Sequence, residues 1–274
     1  MKFSKKLAAC LTAAMLMLAM MATTAFAEKG TVDWNKGVIR AMGIGAGKST
    51  TKNPGLYRAQ ARRAAIMDAQ RNLAETVKGV RVTSDSTMED LELKYDVVRT
   101  QVDAIIKGMN EVSSQLMDDG TYEVVLEMPI FGAADSLSDA AFLPFKDEPK
   151  VSFPQPSTST SVTVNYTGLI IDCRGMNLNC VMSPVIKNDN NQAIYGHQNL
   201  DYDKIIVNGM ASYANSAEDE ISRSRAGNNP LIVKAVNLAD LNANPVVSTA
   251  DADKILAANR QGKFLENCAV VFVY

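Results

Sequence analysis

The longest amphipathic segment of the chain lies at residues 55–78, GLYRAQARRAAIMDAQRNLAETVK. Strong helix formers fill its interior, and Pro54 and Gly79 stand at its two ends as helix start and stop signals. One arc of the predicted helix carries small and apolar side chains: Ala59, Ile66, Ala69, Leu73 and Val77. The abundance of alanine predicts a helix that lies close against a sheet.

Apolar runs around this helix predict β-strands. They span residues 37–46, 80–84, 109–117 and 121–130, and an Asp-Asp-Gly turn joins the last two as a hairpin. Helical spacing of apolar residues predicts a second helix over 97–106, whereas residues 88–95 fit either a helix or an extension of the preceding strand. The order β-α-β-α-β-β predicts an α+β domain over residues 28–131, with helices on one face of a mostly antiparallel sheet.

The pattern changes after residue 131. Residues 132–161 are rich in Pro, Ser and Thr, which predicts an exposed linker. Beyond the linker, strands alternate with helices: strongly apolar strands are predicted at 168–172 and 268–274, and a helix at 250–261. This alternation predicts an α/β domain over residues 162–274.

Residues 1–27 have the three parts of a secretory signal peptide: a lysine-rich start, an apolar run, and the cleavage motif Ala25-Phe26-Ala27. The apolar run is about 16 residues long, which is short for a transmembrane helix, so cleavage after Ala27 is favoured over an anchor. Leu7-Ala8-Ala9-Cys10 resembles a lipidation motif, but no apolar segment precedes it, so lipidation of Cys10 is not predicted. The mature chain is expected to be exported, in the periplasm or peripheral to the outer membrane, without a transmembrane segment.

Charge argues against nucleic acid as a partner. Without the three lysines of the signal peptide, 25 Lys and Arg face 30 Asp and Glu, a net charge of −5, and no basic block is present. The stretch Gly43-Ile-Gly-Ala-Gly-Lys-Ser resembles a phosphate-binding loop. However, Met42 stands where that motif requires its first glycine, and Asn53-Pro54-Gly55 separates the stretch from the helix. Neither a nucleotide nor any other cofactor is therefore predicted.

Three stretches of the first half carry a resemblance to a known family: AMGIGAG, AQARRAAIMDAQRNLAETVKGVRV and EVSSQLMDDGTYEVVLEMPI. Over about residues 35–131 the chain resembles the domain of the twenty-kilodalton envelope lipoproteins, which is also found at the N-terminus of flagellar assembly protein T. The shared pattern consists of small and apolar positions, so it is informative about the fold rather than about an activity. The chain departs from the family by lacking a well-placed lipidation motif.

The resemblance implies an exported protein of the bacterial envelope. Some members of the family are tethered by lipid, and some form part of a ring around the flagellar basal body. It therefore implies partners among cell-envelope proteins, with flagellar basal-body and outer-membrane components as candidates.

Three cysteines follow the signal peptide: Cys173, Cys180 and Cys268. An odd number permits at most one internal bridge. A disulfide between Cys173 and Cys180 across a loop is one possibility, and a set of buried thiols is the other. Cys268 is expected to be a buried thiol.

His197 is the single histidine of the chain, so a hydrolase would need it within hydrogen-bond reach of a nucleophile such as Ser183. A histidine in a surface loop is the simpler interpretation, and no metal site is predicted because no cysteine or second histidine has ligand spacing with it.

Asp172 and Arg174 end the most apolar strand, where α/β sheets bind ligands, and they are candidates for binding a polar ligand or glycan. The alternative is that Asp172 caps the following turn and pairs with Arg174.

Four arginines on the predicted helix could contact anionic lipid or an acidic partner: Arg58, Arg62, Arg63 and Arg71. A solvated helix face is the alternative, because Asp68 and Glu75 lie among them.

No catalytic constellation is evident in the sequence. The sequence therefore favours a non-enzymatic interaction or assembly module of the bacterial cell envelope, with the flagellum as one candidate setting. The alternative is a periplasmic protein that binds a small ligand or glycan.

Overall fold

The computed structural model describes residues 29–132, 135–158 and 162–274. The predicted signal peptide and Cys10 lie outside these ranges. In the described part of the chain, no helix is long and apolar enough to cross a membrane.

The first domain contains a four-stranded antiparallel sheet with the strand order β1-β2-β4-β3. Its strands are β1 (Gly30–Asp33), β2 (Val38–Gly45), β3 (Glu111–Leu116) and β4 (Tyr122–Pro129). Three helices accompany the sheet: α1 (Pro54–Lys78), α2 (Met88–Lys94) and α3 (Asp96–Gly108). The predicted α+β class of this domain is confirmed.

Helix α1 begins where the sequence supplies an N-terminal cap. The Asn53 side chain accepts hydrogen bonds from the backbone N–H groups of Gly55 (2.9 Å) and Leu56 (3.1 Å). Pro54 occupies the first turn, where a missing N–H costs nothing, and the helix ends at Lys78, before Gly79. The observed helix is therefore one residue longer than the predicted one.

Small residues let α1 approach β2 very closely. A Cβ atom on Gly43 or Gly45 would overlap the backbone of α1 at Ala65. Ala69 is buried, as the predicted arc requires, but at the start of the helix Ala59 is exposed. Buried Ala61 and Ala65 instead continue the row of Ala69 toward the start of the helix, at intervals of four residues. The glycines of β2 leave room for this alanine row, so their role is in packing.

The strand predicted at residues 80–84 is a tight loop in the structure. Its backbone turns back on itself, with the Val82 N–H donating to the Ser86 carbonyl (2.9 Å) and one isolated bridge between Arg81 and Thr87. Thr87 then caps α2 in a capping box with Asp90, so residues 88–95 are mostly helical. Val80 and Val82 are buried without a partner strand, which explains why an apolar pattern alone predicted the wrong element.

The segment predicted as a linker contains ordered structure. Helix α4 (Leu137–Phe142) is followed by a single 3₁₀ turn, Leu143–Phe145, and Leu137 and Phe142 are buried. Further along, Ser157 donates to the Asp253 carboxylate from both its N–H (2.7 Å) and its hydroxyl (2.7 Å). Residues 150–158, which we call the strap, are thereby held against the second domain. The limits of the linker remain a prediction.

The second domain contains two four-stranded sheets. The mixed sheet has the order β10-β11-β6-β7 and the parallel sheet the order β8-β12-β5-β9. The mixed sheet consists of β6 (Ile186–Asn188), β7 (Ala193–Tyr195), β10 (Asn237–Ala239) and β11 (Asn244–Val247). The parallel sheet consists of β5 (Gly168–Asp172), β8 (Ser212–Ala214), β9 (Pro230–Lys234) and β12 (Val270–Val273).

Three helices complete the second domain: α5 (Tyr202–Asn208), α6 (Glu220–Ala226) and α7 (Thr249–Gly262). Every residue of β12 is buried, as expected of a parallel strand that is covered on both faces. Ala226 of α6 packs with Ile170 and Val271 on one of these faces. The predicted α/β class is confirmed.

Candidate functional site

The two domains meet along a buried junction. Trp34 contacts the Tyr213 ring edge-on, with ring centroids 5.6 Å apart. The N–H of Ser183 donates to the Val82 carbonyl (2.7 Å), so a loop of the second domain extends the loop that precedes α2. Backbone and aromatic contacts of this kind fix the relative position of the two domains.

His197 lies at this junction, at the start of a 3₁₀ turn (His197–Asn199) that follows β7. Its ring centroid is 5.9 Å from that of Phe145, and its Nε2 atom is 3.9 Å from Oε2 of Glu148. Burial lowers the pKa of His197, and the nearby Glu148 carboxylate opposes this shift. His197 is thus neutral near pH 7.

A small cavity separates His197 from the first domain. Its lining includes Val82, Ser86, Phe142 and Ser183, and its volume is about 40 Å³. That space is small for a ligand, since ligand sites usually measure hundreds of Å³. Ser183 and His197 both line this cavity, yet in the described chain no hydrogen bond joins them.

No metal centre emerges around these groups. Within residues 29–132, 135–158 and 162–274, no three His, Cys, Asp or Glu side chains are arranged to hold a metal ion.

Asp172 and Arg174 lie together at the carboxyl end of β5. The Arg174 side chain donates from Nε to Oδ1 of Asp172 (2.9 Å) and from Nη2 to Oδ2 (2.7 Å), and its backbone N–H donates to Oδ1 (3.1 Å). These bonds hold the pKa of Asp172 at about 2. Both carboxylate oxygens of Asp172 thus accept hydrogen bonds from Arg174, as expected if Asp172 caps the turn and pairs with Arg174. The Arg174 side chain is 60% exposed. Ligand binding by this pair remains a prediction.

The three cysteines are free thiols in this structure. Cys173 and Cys268 are buried, and Cys180 is half-buried. Burial raises the pKa values of Cys173 and Cys180 to about 12, so both are protonated at neutral pH. The bridge between Cys173 and Cys180 remains a prediction, which the intact mass of the unreduced protein would test.

The four arginines of α1 are all exposed and differ in their partners. Arg62 pairs with Glu111 of β3 (2.5 Å), and Arg71 pairs with Asp68 one turn away (2.5 Å). Arg58 and Arg63 are exposed. Contact of this face with lipid or an acidic partner remains a prediction.

Strand β3 is a candidate site that the sequence pattern did not identify. It lies at the edge of the first sheet, and its five residues after Glu111 are all exposed. Val112 is 54% exposed and Leu116 39% exposed, and a bulge interrupts the pairing with β4 between Glu111 and Ser113. The sequence predicted a strand here, but its edge position depends on the order of all four strands.

These features define a class of protein: an α+β domain joined through a buried junction to an α/β domain. Residues 36–128 match the family model of the LPP20 lipoproteins, which confirms the resemblance to the envelope lipoproteins over this range. Residues 168–274 match the model of the second domain of Treponema pallidum Tp0624. No curated protein matches the chain. The lipoprotein match supports the coarser functional prediction, that of an envelope-associated protein.

Proposed function

We propose that this protein is a non-enzymatic interaction or assembly module of the bacterial cell envelope, and that it binds a partner by strand addition to β3. The observation that carries the proposal is the exposure of the five residues of β3 after Glu111 at the edge of the first sheet. Strand addition needs such an edge, because the new strand bonds to the unpaired N–H and C=O groups.

The composition of β3 leaves this edge open. Proteins usually protect an exposed edge with lysine, proline or an inward-pointing charge, and the sequence Val112-Ser-Ser-Gln-Leu116 contains none of these. The single charge of the strand, Glu111, already pairs with Arg62. One bulge is the only protective device of the strand itself.

The chemistry of β3 defines the partner segment. It is an extended, uncharged stretch of another envelope protein, with apolar side chains that pack against Val112 and Leu116. Outer-membrane and flagellar basal-body components are the candidate partners, in the periplasm or at the periphery of the outer membrane. The flagellar setting is supported by the resemblance of the first domain alone.

Site-specific photocross-linking in the native host tests the proposal. A photoreactive amino acid replaces Val112 in β3, and a matched control replaces Ile232, which is 57% exposed on the edge strand β9 of the other domain. We expect a cross-linked partner from position 112 and none from position 232. Equal yields at both positions, or none at position 112, would contradict strand addition. Cross-links between two copies of this chain would support β3 as the binding edge but identify a second copy as the partner.

A second variant links the cross-link to the edge itself. Ser114→Lys places a charge in the middle of β3, where it disfavours a further strand, while Ser114 is exposed and its replacement leaves the core intact. We expect loss of the cross-link with an unchanged melting temperature. Recovery of the protein with purified basal bodies would support the flagellar setting, and its absence from them would restrict the proposal to other envelope assemblies.

The alternative function, binding of a small ligand or glycan, depends on Asp172 and Arg174. The exposed guanidinium of Arg174 at the carboxyl end of a parallel strand favours it. Asp172→Ala tests it in a thermal-shift screen against cell-wall fragments. A melting shift that the variant loses would support this function, and no shift in the native protein would argue against it.

A further inference from the structure

A groove between the strap and α7 is separate from both sites above. Its volume is about 430 Å³, within the range of small-molecule sites. Lys150 and Phe153 line it on the strap, and Arg260, Lys263 and Glu266 line it at the end of α7 and just beyond. We call it the strap groove.

Both walls of the strap groove are held in place. On the strap, the Val151 N–H donates to the Gln198 carbonyl (2.7 Å), and Phe153 stacks on Tyr195 with an interplanar angle of 12°. On the opposite wall, the buried Asn259 side chain donates to Oε2 of Glu266 (2.8 Å) and accepts from the Leu265 N–H (2.8 Å). A ligand would meet a largely formed site.

The charges in the groove are unbalanced. Its three cationic side chains face one carboxylate, and that carboxylate is already engaged by Lys263 (3.8 Å) and Asn259. Arg260 donates to the neutral side chain of Gln155 (2.6 Å), and within the described residues no carboxylate pairs with it. Lys150 forms no ion pair within the described part of the chain. Two cations without a carboxylate partner in the described residues therefore line one groove, in a protein whose net charge is −2.

The helix alone does not explain this arrangement. Cations in the last turn of a helix stabilise its partial negative charge, which accounts in part for Arg260 and Lys263. Lys150 belongs to the strap, about 110 residues away in sequence, and has no such role. The convergence of Lys150 and Arg260 on the same space points to a ligand.

We infer that the strap groove binds a phosphate group, with Arg260 and Lys150 as its two binding residues. The planar guanidinium donates two parallel hydrogen bonds to phosphate oxygens, and the ammonium adds a point charge from the other wall. The phosphate could belong to a soluble phosphoester or to an anionic lipid headgroup, and the test separates these two sources.

The experiment measures binding of inorganic phosphate and glycerol phosphate by calorimetry, and binding to vesicles with and without phosphatidylglycerol by co-sedimentation. Arg260→Gln and Lys150→Gln remove one binding residue each. Lys254→Gln is the matched control, because Lys254 is exposed on the same helix and does not line the groove. We expect about tenfold weaker binding or more from each groove variant, and less than about a twofold change from the control.

Each outcome is decisive. Saturable binding of the soluble phosphates indicates a soluble ligand, and binding to anionic vesicles alone indicates a headgroup. Equal losses in Lys254→Gln and the groove variants would show diffuse charge attraction and overturn the inference, as would the absence of all binding. Circular dichroism checks the fold of each variant. Lys150→Gln breaks no ion pair or side-chain hydrogen bond among the described residues, so it keeps the test valid if Arg260→Gln fails to fold.

Discussion

Strands β3 and β9 are both edge strands, and each has an apolar residue that is more than half exposed, yet their edges differ. Val112 of β3 is 54% exposed and Ile232 of β9 is 57% exposed. Strand β9 starts at Pro230 and ends at Lys234, two residue types that discourage further pairing, whereas β3 contains neither. Side-chain exposure alone therefore does not identify a docking strand. The availability of the backbone does.

The two sheets to which these strands belong also differ in how they are packed. The parallel sheet is buried on both faces at its central strand β12, which has no exposed residue. The first sheet relies on one close contact, in which Gly43 and Gly45 of β2 meet the alanine row of α1. The parallel sheet should therefore depend on large side chains, and the first sheet on the absence of side chains.

The largest expected effect is that of Gly43→Ala, which would break the first sheet. The added Cβ atom would overlap the backbone of Ala65 and Ala69, which cannot rotate away. We expect a loss of more than about 4 kcal/mol in the free energy of unfolding, measured by urea denaturation. Gly108→Ala is the control, because a Cβ atom there meets nothing within 4 Å. Similar losses in both variants would refute the role of close packing.

Phe272→Ala tests the corresponding claim for the parallel sheet. Phe272 is fully buried in β12, with its ring centroid 5.7 Å from that of Tyr213. We expect a loss of about 3–5 kcal/mol, whereas Leu116→Ala in β3 should cost less than about 1 kcal/mol. Equal costs in the isolated protein would mean that β3 is packed rather than free.

Ala69→Leu tests the same close contact between α1 and β2 from the side of the helix. Ala69 is fully buried opposite Gly43, so the larger side chain would overpack the contact. The expected loss is about 1–3 kcal/mol in urea denaturation, less than for Gly43→Ala because a side chain can adjust where a backbone cannot. A neutral result would mean that this face of α1 is not packed.

The features predicted from the sequence are those with local signals. Helix α1 has a proline at its start and a glycine just after its end, and its alanines predicted the close contact that Gly43 completes. The rejected phosphate-binding motif shares these glycines, and the structure gives them a packing role. Both fold classes followed from the order of the predicted elements.

Features that depend on distant parts of the chain were not predictable in this way. Val80 and Val82 have the pattern of a strand, but a strand also needs a regular partner strand, and their neighbours supply only one isolated bridge and a few single hydrogen bonds. The edge position of β3 depends on the strand order of the whole sheet. The strap groove joins Lys150 to Arg260, whose proximity no local pattern encodes.

The smallest expected effect concerns the end of β9, where Lys234 is paired in register with Asp172 of β5. Arg174 is the main cause that lowers the pKa of Asp172 to about 2, and Lys234 adds to it. The ordinary pKa of an aspartate is about 3.9, so the ionised form stabilises the fold fully above that value and loses its contribution as the pH falls through about 2. Because Arg174 is largely exposed, solvent screens much of this contribution.

We therefore expect Asp172→Asn to melt slightly below the native protein at pH 6, with the difference disappearing between pH 4 and pH 2. Asp96→Asn is the control, because the Asp96 side chain is 89% exposed beside Arg99 and its ion pair is more strongly screened. A difference that persists at pH 2 would mean that the variant disturbs the turn rather than the charge pair. Lys234→Ser should reduce the same pH-dependent difference by a small part, since Lys234 contributes less than Arg174. If it does, the lysine that protects the edge of β9 also stabilises the ionised Asp172, and no residue of β3 has either role.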